Sequence, residues 1–204
     1  LHEPVSDALL SDALSTASIT AAERSALELA LLRASNATVP VFPPITHRIV
    51  SSNAVAREAV TSAAAHAGLR AVSIPELLDA DVSACAVKVA TQLLDERRRG
   101  VSGVITCWGG EPVVSLPAHA PAGGRMQALA LAVARALHDA GDAARGITLL
   151  AAGSDGRDGA TDAAGAVVDA SSWGAVQRVG ADPAALLAAH DSHTALRIAE
   201  CLIP

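Results

Sequence analysis

Apolar positions along this chain change period several times, and each change marks a predicted element. "SITAAERSALELALLRAS" carries apolar residues at helical spacing behind Thr20, with Glu23 three positions on. That pattern predicts a helix opened by a capping box. Residues 1–37 together read as helix, break, helix, and the prolines of "NATVPVFPPITH" make a connector. From His47 the pattern becomes strand–helix–strand: β-branched "RIVSS", alanine-rich "NAVAREAVTSAAAHAG" closed by Gly68, then "LRAVSI". This alternation predicts a parallel sheet with a crossover helix.

"DVSACAVKVATQLLDERRRG" predicts a further helix that ends at Gly100. "VSGVITCWGGEPVVSLP" predicts two strands about a tight glycine turn, and "RMQALALAVARALHDAG" a helix. "GITLLAA" has the uninterrupted apolar run of a fully buried strand, and a second strand follows at "GAVVD". "DPAALLAAHDSHTALRIAEC" predicts a helix with Asp182 as N-cap and Pro183 in its first turn. The expected fold is α/β: strands alternate with alanine-rich helices, in a mostly parallel or mixed sheet with helices packed on it.

Composition sharpens this picture. Hydrophobic residues make up 51% of the chain and aromatics 1%, so the core has to be built from Ala, Val, Leu and Ile. Alanine also favours helix intrinsically. No apolar run is long enough to cross a bilayer without charge, and no signal peptide is visible at the N-terminus. Cys85, Cys107 and Cys201 are odd in number and far apart. They suit neither a disulfide framework nor a structural zinc site, and point to a reducing cytoplasm. The net charge is −6, and Lys88 is the single lysine. Without a basic stripe, nucleic acid is not an expected partner. "DERRRG" is basic at a helix end, where cations complement the dipole.

Four stretches carry candidate chemistry. Ser51 to Asn53 lies between a strand and a helix start, a place that binds anions but that also simply favours capping residues. "WGGEP" puts Glu111 behind Gly109 and Gly110; it reads equally as a ligand-approaching turn and as a plain hairpin. "GGRMQ" places Arg125 in a first helical turn, where a cation opposes the dipole, so an anion such as a phosphate or Glu111 is expected beside it. "SDGRDGATDAAG" lacks the glutamate of a calcium loop, but Asp155, Asp158 and Asp162 could serve Mg²⁺, which needs few carboxylates. The Asp-Gly pairs are also ordinary turn chemistry. No phosphate-binding P-loop, dinucleotide glycine fingerprint, HExxH or GxSxG is present.

In this order and spacing, "GGEPVVSL", "GGRMQALALA" and "AAGSDGRDGATDAAGAVVD" resemble the C-terminal MOFRL domain of class II glycerate kinases, the glycerate 2-kinases. "RIVSSNAVAREAV" is similar to the family's strand–GSN–helix segment, which precedes that domain. The resemblance covers residues 46–204 well and residues 1–45 loosely. It implies a division into residues 1–100, the end of a preceding α/β domain, and residues 101–204, a MOFRL-like domain truncated at its C-terminus.

The resemblance also implies phosphoryl transfer from Mg²⁺-ATP to the 2-hydroxyl of D-glycerate, a small hydroxy acid. Glu111 and Arg125 would be catalytic. Ser52, Asn53, Gly109, Gly110, Gly124 and Thr161 would bind substrate or nucleotide, and Asp155, Asp158 and Asp162 would hold metal. Older names in the family imply a hydroxypyruvate reductase, for which the nicotinamide fingerprint is missing. The family's GGRNQE helix start is altered here at Met126 and Ala128, and Ser51 replaces its usual glycine. Its N-terminal lysine, its SDV-GDD segment and its TGTNV loop are not in these residues. The expectation is therefore a fragment or truncated relative of a glycerate 2-kinase, served by a homo-oligomer or a complementing N-terminal domain. The competing expectation is a non-catalytic anion- or partner-binding α/β module.

Overall fold

The computed structural model describes residues 20–35 and 46–204. The predicted first helix and most of the proline-rich connector lie outside the described residues. The chain divides into two compact units, Leu1–Arg48 and Ile49–Pro204. In the first unit, helix α1 (Ala21–Ser35) opens with the expected capping box. The Glu23 amide donates to Thr20 Oγ1 at 3.3 Å, and the Thr20 amide donates to Glu23 Oε2 at 2.8 Å. These bonds satisfy two N–H groups that the helix start would otherwise leave open.

The second unit is α/β. Its elements are α2 (Asn53–His66), β1 (Arg70–Ser73), α3 (Val82–Arg98), β2 (Val104–Cys107) and α4 (Arg125–Ala140), with a 3₁₀ turn at Gly141–Ala144. Then follow β3 (Thr148–Ala152), β4 (Gly165–Asp169), α5 (Ser172–Arg178), α6 (Pro183–Ala188), α7 (Ser192–Ile198) and β5 (Leu202–Ile203). β1 and β2 pair in parallel, joined by crossover helix α3. β3, β4 and β5 form an antiparallel sheet in that order. The mixture of one parallel pair and one antiparallel sheet fits the expected α/β class.

Helix α4 is the hub. It packs on β3 and β4 and against α3, α5 and α7. Its Ala130, Leu131, Val133, Ala134 and Leu137 are fully buried, and small alanines let neighbouring backbones approach closely. No helix among the described residues is long and apolar enough to cross a membrane.

Several local expectations are corrected. "RIVSS" is not a strand: Ile49 and Val50 are exposed, and the parallel unit is β1–α3–β2, one element later than expected. "PVVSL" forms no strand and "GGE" no hairpin. Instead Gly110 and Val113 make isolated parallel bridges to Leu78 and Asp81, running alongside the approach to α3. "GITLLAA" is an edge strand with alternating burial, not a fully buried one. "DPAALLAAHDSHTALRIAEC" is two helices. His190 takes φ 59°, and Asp191 starts the second helix as a new N-cap, accepting from the Thr194 amide at 3.3 Å. Asp182 caps α6 as expected, accepting from Ala184 and Ala185. Helix α5 and strand β5 have no counterpart in the sequence reading.

Candidate functional site

The site is assembled around the N-terminus of α4. Its N-cap, Gly124, has no side chain to offer the first turn. The cap comes from far along the chain: the Met126 amide donates to Asp158 Oδ1 at 3.0 Å and the Gln127 amide to Asp158 Oδ2 at 2.8 Å. Asp158 is 4% exposed, so this carboxylate sits on the positive end of the helix out of water. Glycine is required beneath it, because a Cβ on Gly124 would run into the Asp158 carboxylate. Gly159, at φ 65°, lies against the Gly123 carbonyl with no room for a side chain.

Arg125 begins the same helix and finds its anion: Nη1 donates to Glu111 Oε1 at 2.8 Å. The side chains are 48% and 76% exposed, so the pair lies at the surface and is screened. The "GGE", "GGR" and "SDGRDG" segments thus meet at one helix start.

A buried polar network lies on the inner side of that start. Gln127 is fully buried. Its amide nitrogen donates to Thr161 Oγ1 at 2.9 Å and to the Asp158 carbonyl at 3.3 Å. Thr161 Oγ1 in turn donates to the Asp158 carbonyl at 2.8 Å. Gln127 Oε1 stands 2.9 Å from His193 Nδ1. With the amide nitrogen donating elsewhere, Oε1 is the acceptor, so the histidine carries its proton on Nδ1. His193 Nε2 lies 3.8 Å from Asp162, which is 94% exposed.

Ser52 and Asn53 start α2. Ser52 Oγ accepts from the Val55 amide at 3.3 Å and is a cap. The Asn53 amide rests on Gly109, where any Cβ would strike it. Gly110 packs directly on the Leu78 backbone. This cluster lies at the carboxyl ends of β1 and β2, where α/β sheets place ligands. One helical turn beyond Asn53, the Arg57 guanidinium donates to the Ile74 carbonyl. Burial pushes the neighbouring Cys107 thiol up, outweighing the opposite pull of Arg57, so that thiol stays protonated at neutral pH.

The three aspartates assigned to metal do not converge. Among the described residues, no group of three or more His, Cys, Asp or Glu side chains is arranged to hold an ion. Both Asp158 oxygens serve the helix, Asp155 Oδ1 accepts from the Arg157 amide at 3.2 Å, and Asp162 faces His193. Sequence reasoning missed Gln127, His193 and Arg57. Gln127 gave a signal, as a polar residue at a core position of an otherwise apolar helix. His193 gave none, because its partner is sixty-six residues away.

Residues 104–204 match the MOFRL family. A protein from Agrobacterium vitis with the provisional name hydroxypyruvate reductase is 36% identical over 154 residues, 74% of this chain and 34% of that protein. A glycerate 2-kinase from Pyrococcus horikoshii is 27% identical over 159 residues, 76% of this chain and 35% of the relative. The crystal structure of a glycerate kinase from Thermotoga maritima superposes with a TM-score of 0.65 at 31% identity, covering 76% of this chain and 37% of that one. The chain therefore spans about a third of the length of the relatives it matches.

Proposed function

Residues 104–204 belong to the MOFRL family and the chain corresponds to the C-terminal part of glycerate 2-kinases; from that premise we propose that the α4 start holds the anionic end of a hydroxy acid during phosphoryl transfer from ATP to D-glycerate. The observation that supports it is the meeting of Glu111, Arg125 and Asp158 at one helix terminus.

Phosphoryl transfer asks a protein chiefly for positioning and for neutralising charge. Asp158 answers the helix dipole from inside, which removes much of the penalty for a cation in the first turn. Arg125 is then free to face outward. One of its N–H groups bonds Glu111, which fixes the direction of the fork, and the remaining donors are open to a carboxylate or phosphate. Glu111 acts as the positioning residue, and Asn53 against Gly109 lines the neighbouring strand ends. Thr161 and Gly124 serve the scaffold: one braces Gln127, the other leaves space for Asp158.

ATP and the 2-hydroxyl as acceptor enter this reading through the family likeness. Asp155, Asp158 and Asp162 do not gather into one three-carboxylate cluster among the described residues. The division at residue 100 and a reducing cytoplasmic setting belong to the same reading. The test is incubation of the protein with ATP and D-glycerate, read by ³¹P NMR for 2-phosphoglycerate, beside an absorbance assay for NADH consumption with hydroxypyruvate. Product in the first and none in the second supports the kinase. NADH consumption without phosphorylated product overturns it, and anion binding without either reaction favours the non-catalytic module.

A further inference from the structure

The hydrogen bonds around the Gln127 side chain run in one direction only. Gln127 is buried, and its amide nitrogen lies 3.3 Å from the Asp158 carbonyl and 2.9 Å from Thr161 Oγ1. A carbonyl can only accept, so the NH₂ group has to face it. Thr161 Oγ1 gives its single proton to the same carbonyl at 2.8 Å and accepts from the Ala163 amide at 3.3 Å, which leaves it an acceptor toward Gln127. A flipped Gln127 would set its oxygen against the Asp158 carbonyl. The oxygen therefore points at His193 Nδ1, 2.9 Å away, and the ring supplies the proton. His193 stands on α7, which packs on α4 through the buried Ser192, Ala195 and Leu196, so the ring is presented from a fixed frame.

We propose that His193 is a further positioning residue for the anion-receiving start of α4, an inference that rests on the reading of Arg125 given above. Its Nδ1–H holds the Gln127 amide in the one orientation that lets it grip Asp158 and Thr161 together. Asp158, so held, lays its carboxylate on the Met126 and Gln127 amides at 3.0 and 2.8 Å. Arg125 immediately precedes those two amides, and its place on the first turn decides where the guanidinium meets Glu111. Without the proton on Nδ1, the Gln127 oxygen would be buried with no donor, which costs more than the bond itself contributes. The amide is then drawn to flip, and the loop loses the two bonds from Gln127 that hold Asp158 and Thr161 in place. The link runs from α7 through α4 to the acidic loop, and each of its steps is a hydrogen bond in a buried setting, where such bonds strengthen one another.

Amide hydrogen exchange of the whole chain, read by NMR, tests this. His193→Phe keeps a ring and removes the donor, whereas His193→Asn keeps a donor on the atom bonded to Cγ, where Nδ1 stands. In His193→Phe, protection at the Met126 and Gln127 amides should fall about fivefold or more, and by more than at the fully buried Val133 and Leu137 farther along the helix. In His193→Asn it should stay within about twofold of wild type. ¹⁵N spectra at about pH 8, where a free imidazole is neutral, should show the Nδ1–H tautomer of His193. Calorimetry with 2-phosphoglycerate should show binding about threefold or more weaker in His193→Phe, near wild type in His193→Asn, and no further loss when His193→Phe is added to Arg125→Ala. Helix-start amides that fall only in step with Val133 and Leu137 overturn the proposal, as does an Nε2–H tautomer or a His193→Asn protein that behaves like His193→Phe. So does a loss of affinity that is the same with and without Arg125. Absence of binding by the wild type overturns the reading of Arg125 instead, and exchange and tautomer then decide the His193 link on their own.

Discussion

Asp158 and Gln127 are thirty-one residues apart in sequence, yet the carboxylate of one caps the backbone of the other at 2.8 Å. The contact makes the acidic loop part of helix α4. It also explains why an aspartate in a turn-rich stretch is buried. Asp158→Ala should lower stability by about 1–3 kcal/mol, since it removes two charge-assisted bonds to a helix terminus and leaves two buried amides open. Asp158→Asn keeps the shape and loses the charge, and should fall between. Urea unfolding of the three proteins measures this.

Gly159 and Gly156 make a paired test of the loop. Both have positive φ, so alanine is strained at either. Only Gly159 also has the Gly123 carbonyl where a Cβ would go; Gly156 faces open space. Gly156→Ala should cost about 1 kcal/mol, and Gly159→Ala should cost clearly more, about 2–4 kcal/mol, because backbone on both sides must move. Thermal melts of the two variants check the order.

How far the site could be read from the sequence follows from the range of its interactions. Thr20–Glu23, Ser52, Asp182 and the glycine after α2 were legible because each bond closes within a few residues. The Arg125–Glu111 pair was legible as a conflict: a cation at a helix start needs an anion, and one stood fourteen residues away. Asp158 looked like a metal ligand because a buried cap and a coordinating carboxylate share the same local sequence. Only the fold shows that its oxygens meet N–H groups. "PVVSL" and "GITLLAA" misled for a related reason. Apolar residues record what a strand can bury, not whether a partner strand lies beside it, as for "PVVSL", or a layer covers its second face, as for "GITLLAA".

Gln127 tests the inner network. Gln127→Leu preserves volume and removes three hydrogen bonds, leaving the Thr161 hydroxyl and His193 Nδ1 without that partner. The expected loss is about 2–3 kcal/mol, and Thr161→Val should cost less after Gln127→Leu than alone. A double-mutant cycle by denaturant unfolding reads the coupling directly.

Acid should act through Asp169 among other groups. Bonds from the Ser171 side chain, aided by the Ser171 and Ser172 backbone and the Ser172 hydroxyl, hold its carboxyl below the ordinary aspartate range. A folded-state pKa below the unfolded one gives stability that is complete above the unfolded value. That stability is lost as pH falls through the folded value. Ser171→Ala should therefore flatten the fall in stability at pH below about 4, leaving the pH 6–8 plateau with the same shape. Melting temperature against pH for the two proteins checks it.

The central claim is that Arg125, held by Glu111, receives the anion. Isothermal calorimetry of wild type and Arg125→Ala with 2-phosphoglycerate tests it most directly. Their pair is exposed, so the substitution should leave stability within about 0.5 kcal/mol. Affinity should fall about tenfold or more, the loss of one charge-assisted contact. Equal affinity in the two proteins, or no binding by the wild type, would contradict the account.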